Sequence, residues 1–313
     1  MGFAVAAGPL GRPRVTAPPS SPPTSVIICT RNRPQLLRET IASILEGSLL
    51  PEEVVVVDQS AMPDAGVTDH AAGRLTEIRY VHAEPTGLGR ARNVGIAAAR
   101  HDVLVFADDD MRAERAWLAE LLAALVASGP RAVVTGSVPA GVPERRGGYT
   151  PSSRAEMQPE VFRGRIWRDV LAGGNMALYR ADLAAVGGFD DRLGAGARFP
   201  AADDNDLGFR LLERGYDIVY VPGAVLEHRA WRPRWSYPVV RWRYGRGKGG
   251  FYAKHLHASE RYMLRRAGRD IGRRLARLPR TLVRQPVRAL GDLTYIAGIV
   301  AGASRWLLSE RGH

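Results

Sequence analysis

Four short runs of aliphatic and β-branched residues follow one another through the first third of the chain, and segments with helical spacing separate them. The runs are Ser25–Cys29, Val54–Val57, Ile78–Val81 and Val103–Phe106. Because they are continuously apolar rather than alternating, they are typical of parallel strands that are covered on both faces. Helices are predicted at Leu36–Leu45, Leu88–Ala99 and Trp117–Leu125. Such strand–helix–strand units predict an α/β fold with an open, mostly parallel twisted sheet flanked by helices.

Composition and cysteine content exclude several classes of protein. Hydrophobic residues make up 45% and charged residues 24% of the 313 residues, which are ordinary globular proportions. The single cysteine, Cys29, excludes a scaffold held by internal disulfides. The opening residues lack the basic start of a secretory signal, and no run of about 18 apolar residues predicts a membrane span. We therefore expect a cytoplasmic protein whose Pro- and Ala-rich residues 1–24 form a disordered leader.

Positive charge is concentrated in the C-terminal part of the chain. The net charge is +12, and residues 229–288 alone contain eighteen Lys and Arg against two acids. Aromatic residues and the glycines of Gly245–Gly250 are interleaved with the first of these cations, which predicts a mobile loop that closes over substrate. Arg261–Arg288 has amphipathic spacing, which favours a helix on an anionic membrane surface. Ala289–Leu308 is apolar but contains two charged residues, so we expect it to lie at that surface rather than cross the membrane.

Polar side chains stand directly after three of the predicted strands. Thr30 and Arg31 follow the first strand, Asp58 follows the second, and Asp108–Asp110 follow the fourth. Ligands of open α/β sheets bind outside the carboxyl ends of the strands, so these residues predict one small-molecule site. Adjacent carboxylates repel one another, and Mg²⁺ or Mn²⁺ held together with substrate phosphates would relieve that repulsion. An acidic turn that caps the next helix is the alternative.

Three further motifs lie later in the chain. Asp203 and Asp204 open a segment with helical spacing, where the helix dipole favours ionised carboxylates; plain helix capping is the alternative. The glycines of Gly173–Asn175 would either let the backbone approach a ligand closely or form an ordinary tight turn. His228 is predicted in a turn that follows the strand Asp217–Pro222, and a lone histidine is more often structural than a ligand.

Taken in order, these segments resemble a known family. SVIICTRNRPQLL, VVVVDQS, TGLGRARNVGIAAAR and DVLVFADDDM are similar to the nucleotide-binding half of family 2 glycosyltransferases. GGNMALYRADLAAVGGFDDRL, AADDNDLGFRLLERGYDIVYVP and AVLEHR are similar to its acceptor half. The resemblance implies a GT-A fold over residues 25–235, with the nucleotide-binding half at 25–112 and the acceptor half at 113–235. Residues 236–313 would then form a basic, aromatic helical extension associated with the membrane.

The resemblance also implies roles for individual residues. Donor binding falls to Thr30 and Arg31 beside the base, Asp58 on its ring N–H, Arg92 near the base or diphosphate, Asn93 in the same segment, Asp108 on the ribose, and Asp109. Asp110 and His228 would bind the metal, and imidazole suits Mn²⁺ better than Mg²⁺. Asp204 would be the general base, with Asp203 as the alternative, because the family usually has Glu-Asp here. Gly174, Asn175 and Trp231 would lie on the acceptor side. Without the other motifs, Arg92 and Asn93 would be typical of a solvated helix surface.

The reaction that the resemblance implies is an inverting, metal-dependent sugar transfer from a nucleotide-diphosphate sugar, with UDP as the default nucleotide. The base takes a proton from an acceptor hydroxyl while that oxygen attacks the anomeric carbon through an oxocarbenium-like transition state. The acceptor is not identified by the sequence. The basic extension would suit a lipid-linked or membrane-confined acceptor, with the protein peripheral on the inner face of the cell membrane.

Three alternative functions remain at this point. Arginines with interleaved aromatic residues are also typical of nucleic-acid binding, but carboxylates at the sheet edge would repel a phosphate backbone. Gly87-Leu88-Gly89 resembles part of the dinucleotide fingerprint of a Rossmann dehydrogenase, although it follows the third strand and Arg92 replaces the third glycine. A retaining transferase or a nucleotidyltransferase would keep the fold and change the product.

Overall fold

The structure is a computed structural model, and it describes residues 21–63, 66, 75–84, 86–143, 147–151, 153–229 and 231–310. Most of the predicted leader at 1–24 lies outside the described residues, and Thr24 already belongs to the first strand. The described strands are β1 Thr24–Thr30, β2 Glu53–Asp58, β3 Glu77–His82, β4 Val103–Asp108, β5 Met111–Ala113, β6 Ala132–Ser137, β7 Gly148–Tyr149, β8 Glu160–Phe162, β9 Asn175–Tyr179, β10 Asp217–His228 and β11 Arg232–Pro233. The described helices are α1 Pro34–Leu45, α2 Leu88–Ala98, α3 Trp117–Ser128, α4 Arg180–Ala185, α5 Asp203–Glu213, α6 Tyr237–Lys254, α7 Leu256–Arg284 and α8 Pro286–Glu310.

The main sheet has the order β3-β2-β1-β4-β9-β6-β10-β5, and β8 pairs with β10. β3, β2, β1 and β4 are mutually parallel, which confirms the four strands predicted from the continuous apolar runs. β9 runs antiparallel between β4 and β6. Apolar side chains from both faces of the sheet pack against helices in two separate cores, one with α1 and α3 and the other with α4 and α5. The predicted fold class is confirmed as a GT-A-type mixed sheet flanked by helices.

The twelve-residue strand β10 brings the two halves of the sheet together at one edge. Its first part pairs in parallel with β6, and the register shifts between Val221 and Val225. Beyond this irregularity the strand pairs antiparallel with β5, with His228 opposite Met111. The predicted turn at Ala224–Arg229 is therefore wrong, because pairing with β5 satisfies the backbone and continues the strand.

The glycine-rich segment of the extension is helical. The prediction of a mobile loop over Gly245–Gly250 is wrong, since these residues lie within α6. A Cβ at Gly245 or Gly249 would overlap the backbone of α8, whereas a Cβ at Gly247 or Gly250 would collide with residues 199–201. Bare backbone therefore lets α6 pack closely on both sides, and this tertiary packing outweighs the low helix propensity of glycine.

The C-terminal helices α6, α7 and α8 join the α/β body of the chain through a core of their own. Phe209 of α5 packs with Phe251 of α6, Met263 of α7 and Ile299 of α8, all of them buried. No helix in the described part of the chain is both long enough and apolar enough to cross a lipid bilayer.

Candidate functional site

A cleft of about 850 Å³ opens between the carboxyl ends of β1 and β4, the first turn of α5 and the three C-terminal helices. Most of the predicted site residues line it: Thr30, Arg31, Arg92, Asp108, Asp109, Asp110, Gly174, Asp203, Asp204 and His228. Asp58, Asn93, Asn175 and Trp231 are not part of its wall. The predicted strand ends therefore meet at one cleft, but some of the residues that line it differ from those predicted.

Asp110 and His228 meet because β5 and β10 pair antiparallel. The Nε2 atom of His228 lies 3.5 Å from Oδ1 of Asp110, and both side chains are buried. Burial alone would raise the pKa of Asp110, but the hydrogen bond and charge of His228, together with the charge of Arg33, hold it below its ordinary value. Asp110 is therefore ionised at neutral pH beside an imidazole, a donor set that fits Mn²⁺ or Mg²⁺. Among the described residues, no group of three or more His, Cys, Asp or Glu forms a metal centre.

The middle carboxylate of the acidic triplet holds the loop in place. Asp109 accepts a hydrogen bond from the Thr30 hydroxyl at 2.7 Å and another from Arg33 at 3.0 Å. Arg33 also donates to Asp110 at 2.8 Å. Burial and the neighbouring Asp110 raise the pKa of Asp109 to about 6. Sequence reasoning did not single out Arg33, although it follows Thr30 and Arg31 in the same motif.

Arg92 connects the two acidic motifs across the cleft. Its buried guanidinium pairs with Asp203 through one nitrogen and with Asp108 through another, the second at 3.0 Å. A solvated helix surface therefore does not describe this buried position, and the contact of Arg92 with the donor base or diphosphate stays a prediction. By pairing with a carboxylate from each motif, Arg92 fixes the first turn of α5 against the end of β4.

The two carboxylates at the start of α5 differ in their surroundings. Asp203 is buried and committed to Arg92, whereas Asp204 is partly buried and accepts hydrogen bonds from the backbone and side-chain nitrogens of Asn205 at 2.8 and 3.1 Å. Burial and the charge of Asp203 raise the pKa of Asp204 to about 7. The residue before the pair, Ala202, has φ +70°, a left-handed conformation that a non-glycine residue seldom adopts. Asp204 is thus the member of the pair that is available to a ligand.

Gly173 and Gly174 bring the strand β9 up against these charged groups. A Cβ at Gly174 would overlap the carboxylate of Asp108, and a Cβ at Gly173 would lie 2.9 Å from Cβ of Asp204. The glycines therefore make room for the site's own acids, which is a third use beyond the ligand approach and tight turn that the sequence suggested.

At the end of β2, Gln59 rather than Asp58 faces the cleft. Asp58 is buried and accepts hydrogen bonds from the Tyr80 hydroxyl at 2.5 Å and the Ser60 amide at 2.8 Å. The side chain of Gln59 accepts from the Gly87 amide at 2.9 Å, which fixes the start of α2. Gln59 is the first residue after β2, so the side chain that reaches the cleft wall lies one residue beyond the predicted donor contact.

Asn93 and Asn175 lie outside the cleft wall and hold its surroundings together, while Trp231 is half-buried and its acceptor-side role stays a prediction. Asn93 donates to the Phe189 carbonyl at 2.9 Å and ties α2 to the loop after α4. Asn175 is fully buried, where its amide nitrogen donates to the carbonyls of Ser137 and Ala224 and its oxygen accepts from the Trp117 indole. These contacts support the site's framework.

The C-terminal helices supply a wall of the cleft that sequence reasoning missed. Arg241, Tyr244 and Lys248 of α6, Arg274 of α7 and Tyr295 of α8 all line it. Lys248 is buried and reaches both oxygens of Asp169 at 2.6 Å and Oδ1 of Asn205 at 3.0 Å. The interleaved arginines and aromatic residues were the available signal, but they were assigned to a mobile loop and a membrane surface.

Comparison with known proteins agrees with this geometry. Residues 25–186 match the model for "Glycosyl transferase family 2". The chain belongs to this family. The pre-mycofactocin glycosyltransferase of Mycobacterium tuberculosis is 30% identical over 240 residues, covering 70% of this chain and 45% of that protein. The chain spans about half the length of the curated relatives that it matches first.

Two solved structures share the fold of this family 2 glycosyltransferase chain. The mannosyltransferase PcManGT from Pyrobaculum calidifontis, in complex with GDP-Man and Mn²⁺, has a TM-score of 0.59 at 21% identity and covers 96% of this chain and 91% of its own. GalNAc-T7 with UDP, GalNAc and Mn²⁺ has a TM-score of 0.52 at 17% identity, covering 66% of this chain and 44% of its own. The first likeness extends over the C-terminal helices as well as the sheet.

Proposed function

We propose that this chain is an inverting, metal-dependent glycosyltransferase that moves a sugar from a nucleotide-diphosphate sugar to an acceptor hydroxyl. One observation carries the proposal: His228 and the ionised carboxylate of Asp110 line the same cleft as the available carboxylate of Asp204. The complexes of PcManGT with GDP-Man and of GalNAc-T7 with UDP support a nucleotide-sugar donor. UDP remains our default nucleotide.

The donor side of the site is formed by the ends of β1 and β4. Thr30, Arg31 and Asp108 face the cleft where a nucleoside would lie. Asp110 and His228 would hold Mn²⁺ or Mg²⁺, and the Mn²⁺ in both solved complexes supports this assignment. The chemistry that such an ion supplies when bound is stabilisation of the negative charge on the leaving diphosphate.

At the start of α5, Asp204 would act as the general base. A carboxyl with a pKa near 7 is ionised enough at neutral pH to accept a proton and basic enough to draw it from a hydroxyl. Asn205 holds one carboxylate oxygen, which leaves the other to receive the proton of the acceptor. Because a single base that activates the acceptor hydroxyl suits direct displacement, attack from the face opposite the leaving group is the geometry that we favour.

Metal-dependent nucleotide binding tests the donor side. With Mn²⁺, we expect one nucleoside diphosphate at about a hundredfold excess over its Kd to raise the melting temperature by about 5 °C. Asp110→Ala should abolish this shift, because it removes an anionic ligand. Asp102→Ala, which removes a carboxylate that is 92% exposed, should retain the shift. A shift that persists in Asp110→Ala and under chelation would contradict the assignment, while release of pyrophosphate from a nucleotide substrate would favour a nucleotidyltransferase.

We further propose that the extension rests on an anionic membrane surface. Leu264, Leu275 and Leu282 recur at helical spacing along α7 and are 60%, 50% and 55% exposed, and we call them the leucine stripe. Exposed arginines lie along the same helix, with Arg261 and Arg265 nearest to the stripe and the others further round the helix: Arg269, Arg273, Arg280 and Arg284. An apolar line flanked by cations is suited to the boundary between anionic head groups and acyl chains. A peripheral position on the inner face of the cell membrane, with a membrane-confined acceptor, follows as part of this proposal.

A charge placed in the leucine stripe tests the membrane proposal. Leu275→Glu should weaken binding to phosphatidylcholine vesicles containing phosphatidylglycerol by about tenfold, since it removes apolar contact and adds repulsion. Val126→Glu on α3 is the matched control, because Val126 is 51% exposed and lies outside the extension. Equal vesicle binding by both variants in a flotation assay would overturn the proposal.

A further inference from the structure

Two arginines in the C-terminal wall of the cleft have no role in the mechanism above. The guanidinium groups of Arg241 and Arg274 lie 4.2 and 3.9 Å from the ring centre of Tyr295, and all three side chains line the cleft. The hydroxyl of Tyr295 donates to Asp270 at 3.2 Å, which fixes the ring between the two cations. α6, α7 and α8 thus each contribute one member of a preorganised cationic cluster.

The carboxylates around this cluster are already paired. Asp169 binds Lys248 and Arg266, Asp270 binds Arg274, and Asp292 binds Arg277 and lies 3.9 Å from Nε of Arg274. In the described part of the chain, no acidic side chain forms an ion pair with Arg241. The Nε atoms of Arg241 and Arg274 are buried and have no hydrogen-bond acceptor among the described residues. Buried donors on charged groups are costly to leave unsatisfied, so an acceptor from outside the chain would stabilise them.

The cluster lies on the same side of the cleft as the proposed base. Lys248, about two turns along α6 from Arg241, hydrogen-bonds to Asn205, and Asn205 donates to Asp204. Arg274 is close enough to Asp169, the carboxylate that Lys248 binds, to help lower its pKa. A group bound by Arg241 and Arg274 would therefore belong to the acceptor rather than to the donor nucleotide.

We propose that Arg241 and Arg274 bind a phosphate group carried by the acceptor. The inference rests on the proposed transferase function and specifies its acceptor class as phosphate-bearing molecules. Planar guanidinium groups match phosphate oxygens in pairs, and two of them in one cluster favour a dianion over a single carboxylate. The phosphate could come from a lipid head group or from a soluble phosphate ester, since both present the same oxygens.

Calorimetric titration of phenyl phosphate into the full chain tests the inference. The titration is done with a chelator present, so that a metal at Asp110 and His228 does not contribute. We expect saturable binding to wild type, a loss of at least about tenfold in Arg241→Gln, and unchanged binding in Arg243→Gln. Arg243 is exposed on the same helix, so the control has an identical charge change. Arg241→Lys keeps the charge without the paired donors and should give a smaller loss, which keeps the test decisive if Arg241→Gln fails to fold.

Two further titrations identify the source of the phosphate and separate this inference from the function on which it rests. If a lipid head group is the ligand, binding to phosphatidylcholine vesicles that contain phosphatidic acid should fall in Arg241→Gln and not in Arg243→Gln. If the two variants bind these vesicles equally while Arg241→Gln has lost phenyl phosphate binding, the ligand is a soluble ester. No binding of phenyl phosphate to wild type, equal loss in both variants, or equally tight binding of benzoate would overturn the proposal. Mn²⁺-dependent nucleotide binding should persist in Arg241→Gln, and only its absence in wild type would contradict the transferase function.

Discussion

Asp204→Asn should lower kcat by about a thousandfold while leaving Mn²⁺-dependent nucleotide binding unchanged. The amide keeps the size of the side chain and cannot accept the proton of an attacking hydroxyl, and positioned general bases contribute about 10²- to 10⁴-fold. In wild type, kcat/KM should rise with pH and level off above the pKa of about 7, because the base works only when ionised. Steady-state rates and nucleotide titrations measure the two effects separately.

The same substitution should stabilise the folded chain at high pH. The pKa of Asp204 is raised from 3.8 to about 7 in the fold, so stability is full below about pH 4 and falls as pH rises towards 7. Asparagine avoids that loss, and at pH 8 we expect a gain on the order of 2 kcal/mol in the free energy of unfolding, less than the full shift implies because Asp204 is partly solvated. Asp102→Asn should change neither rate nor stability. Near-wild-type turnover by Asp204→Asn would eliminate Asp204 as the base.

Gly249→Ala should destabilise the chain by roughly 3 kcal/mol, whereas Gly268→Ala should stabilise it by roughly 0.5–1 kcal/mol. A methyl group at Gly249 would overlap the Ile299 carbonyl, and backbone atoms cannot move aside cheaply. Gly268 lies on the exposed face of α7 with nothing within 4 Å of an added Cβ, so only the gain in helix propensity remains. Urea unfolding curves measure both changes.

If Gly249→Ala lowers the free energy of unfolding and Gly268→Ala raises it, the effect arises from the contact between α6 and α8. Because Lys248 precedes Gly249 on α6 and binds Asn205, we also expect Gly249→Ala to reduce turnover at temperatures where the chain is still folded. Two changes of the same sign and size would mean that the α6–α8 contact is looser than the structure has it.

The sequence identifies the parts of the site that depend on chain-local pattern. Continuous apolar runs mark β1 to β4 because burial on both faces leaves no room for alternation, and the acids that follow those runs lie at the same sheet edge. The triplet Asp108–Asp110 was identified for this reason, whereas Asp203–Asp204 was identified because it opens a segment with helical spacing. Arg92 was named, but its ion pair with Asp203 joins residues 111 positions apart, which no local pattern contains.

The features that were not predicted depend on the direction of single side chains and on contacts between segments far apart in the chain. Whether the side chain of Asp58 or of Gln59 faces the cleft depends on the backbone direction at the end of β2. The sequence does not distinguish an Asn175 amide that contacts the acceptor substrate from one that hydrogen-bonds to three buried groups of the protein. The glycines of α6 favour a loop by intrinsic propensity, and only the surface of α8 makes a helix the better solution.

The bare faces of α6 limit how its sequence can diverge. Gly245 and Gly249 face α8, while Gly247 and Gly250 face the segment before α5, so on two sides even one added carbon has no space. Variation along this helix should be confined to outward positions such as Trp242 and Arg243. In orthologues, invariance should trace two lines of glycine on α6, paired with the small residues Gly298 and Gly302 on α8.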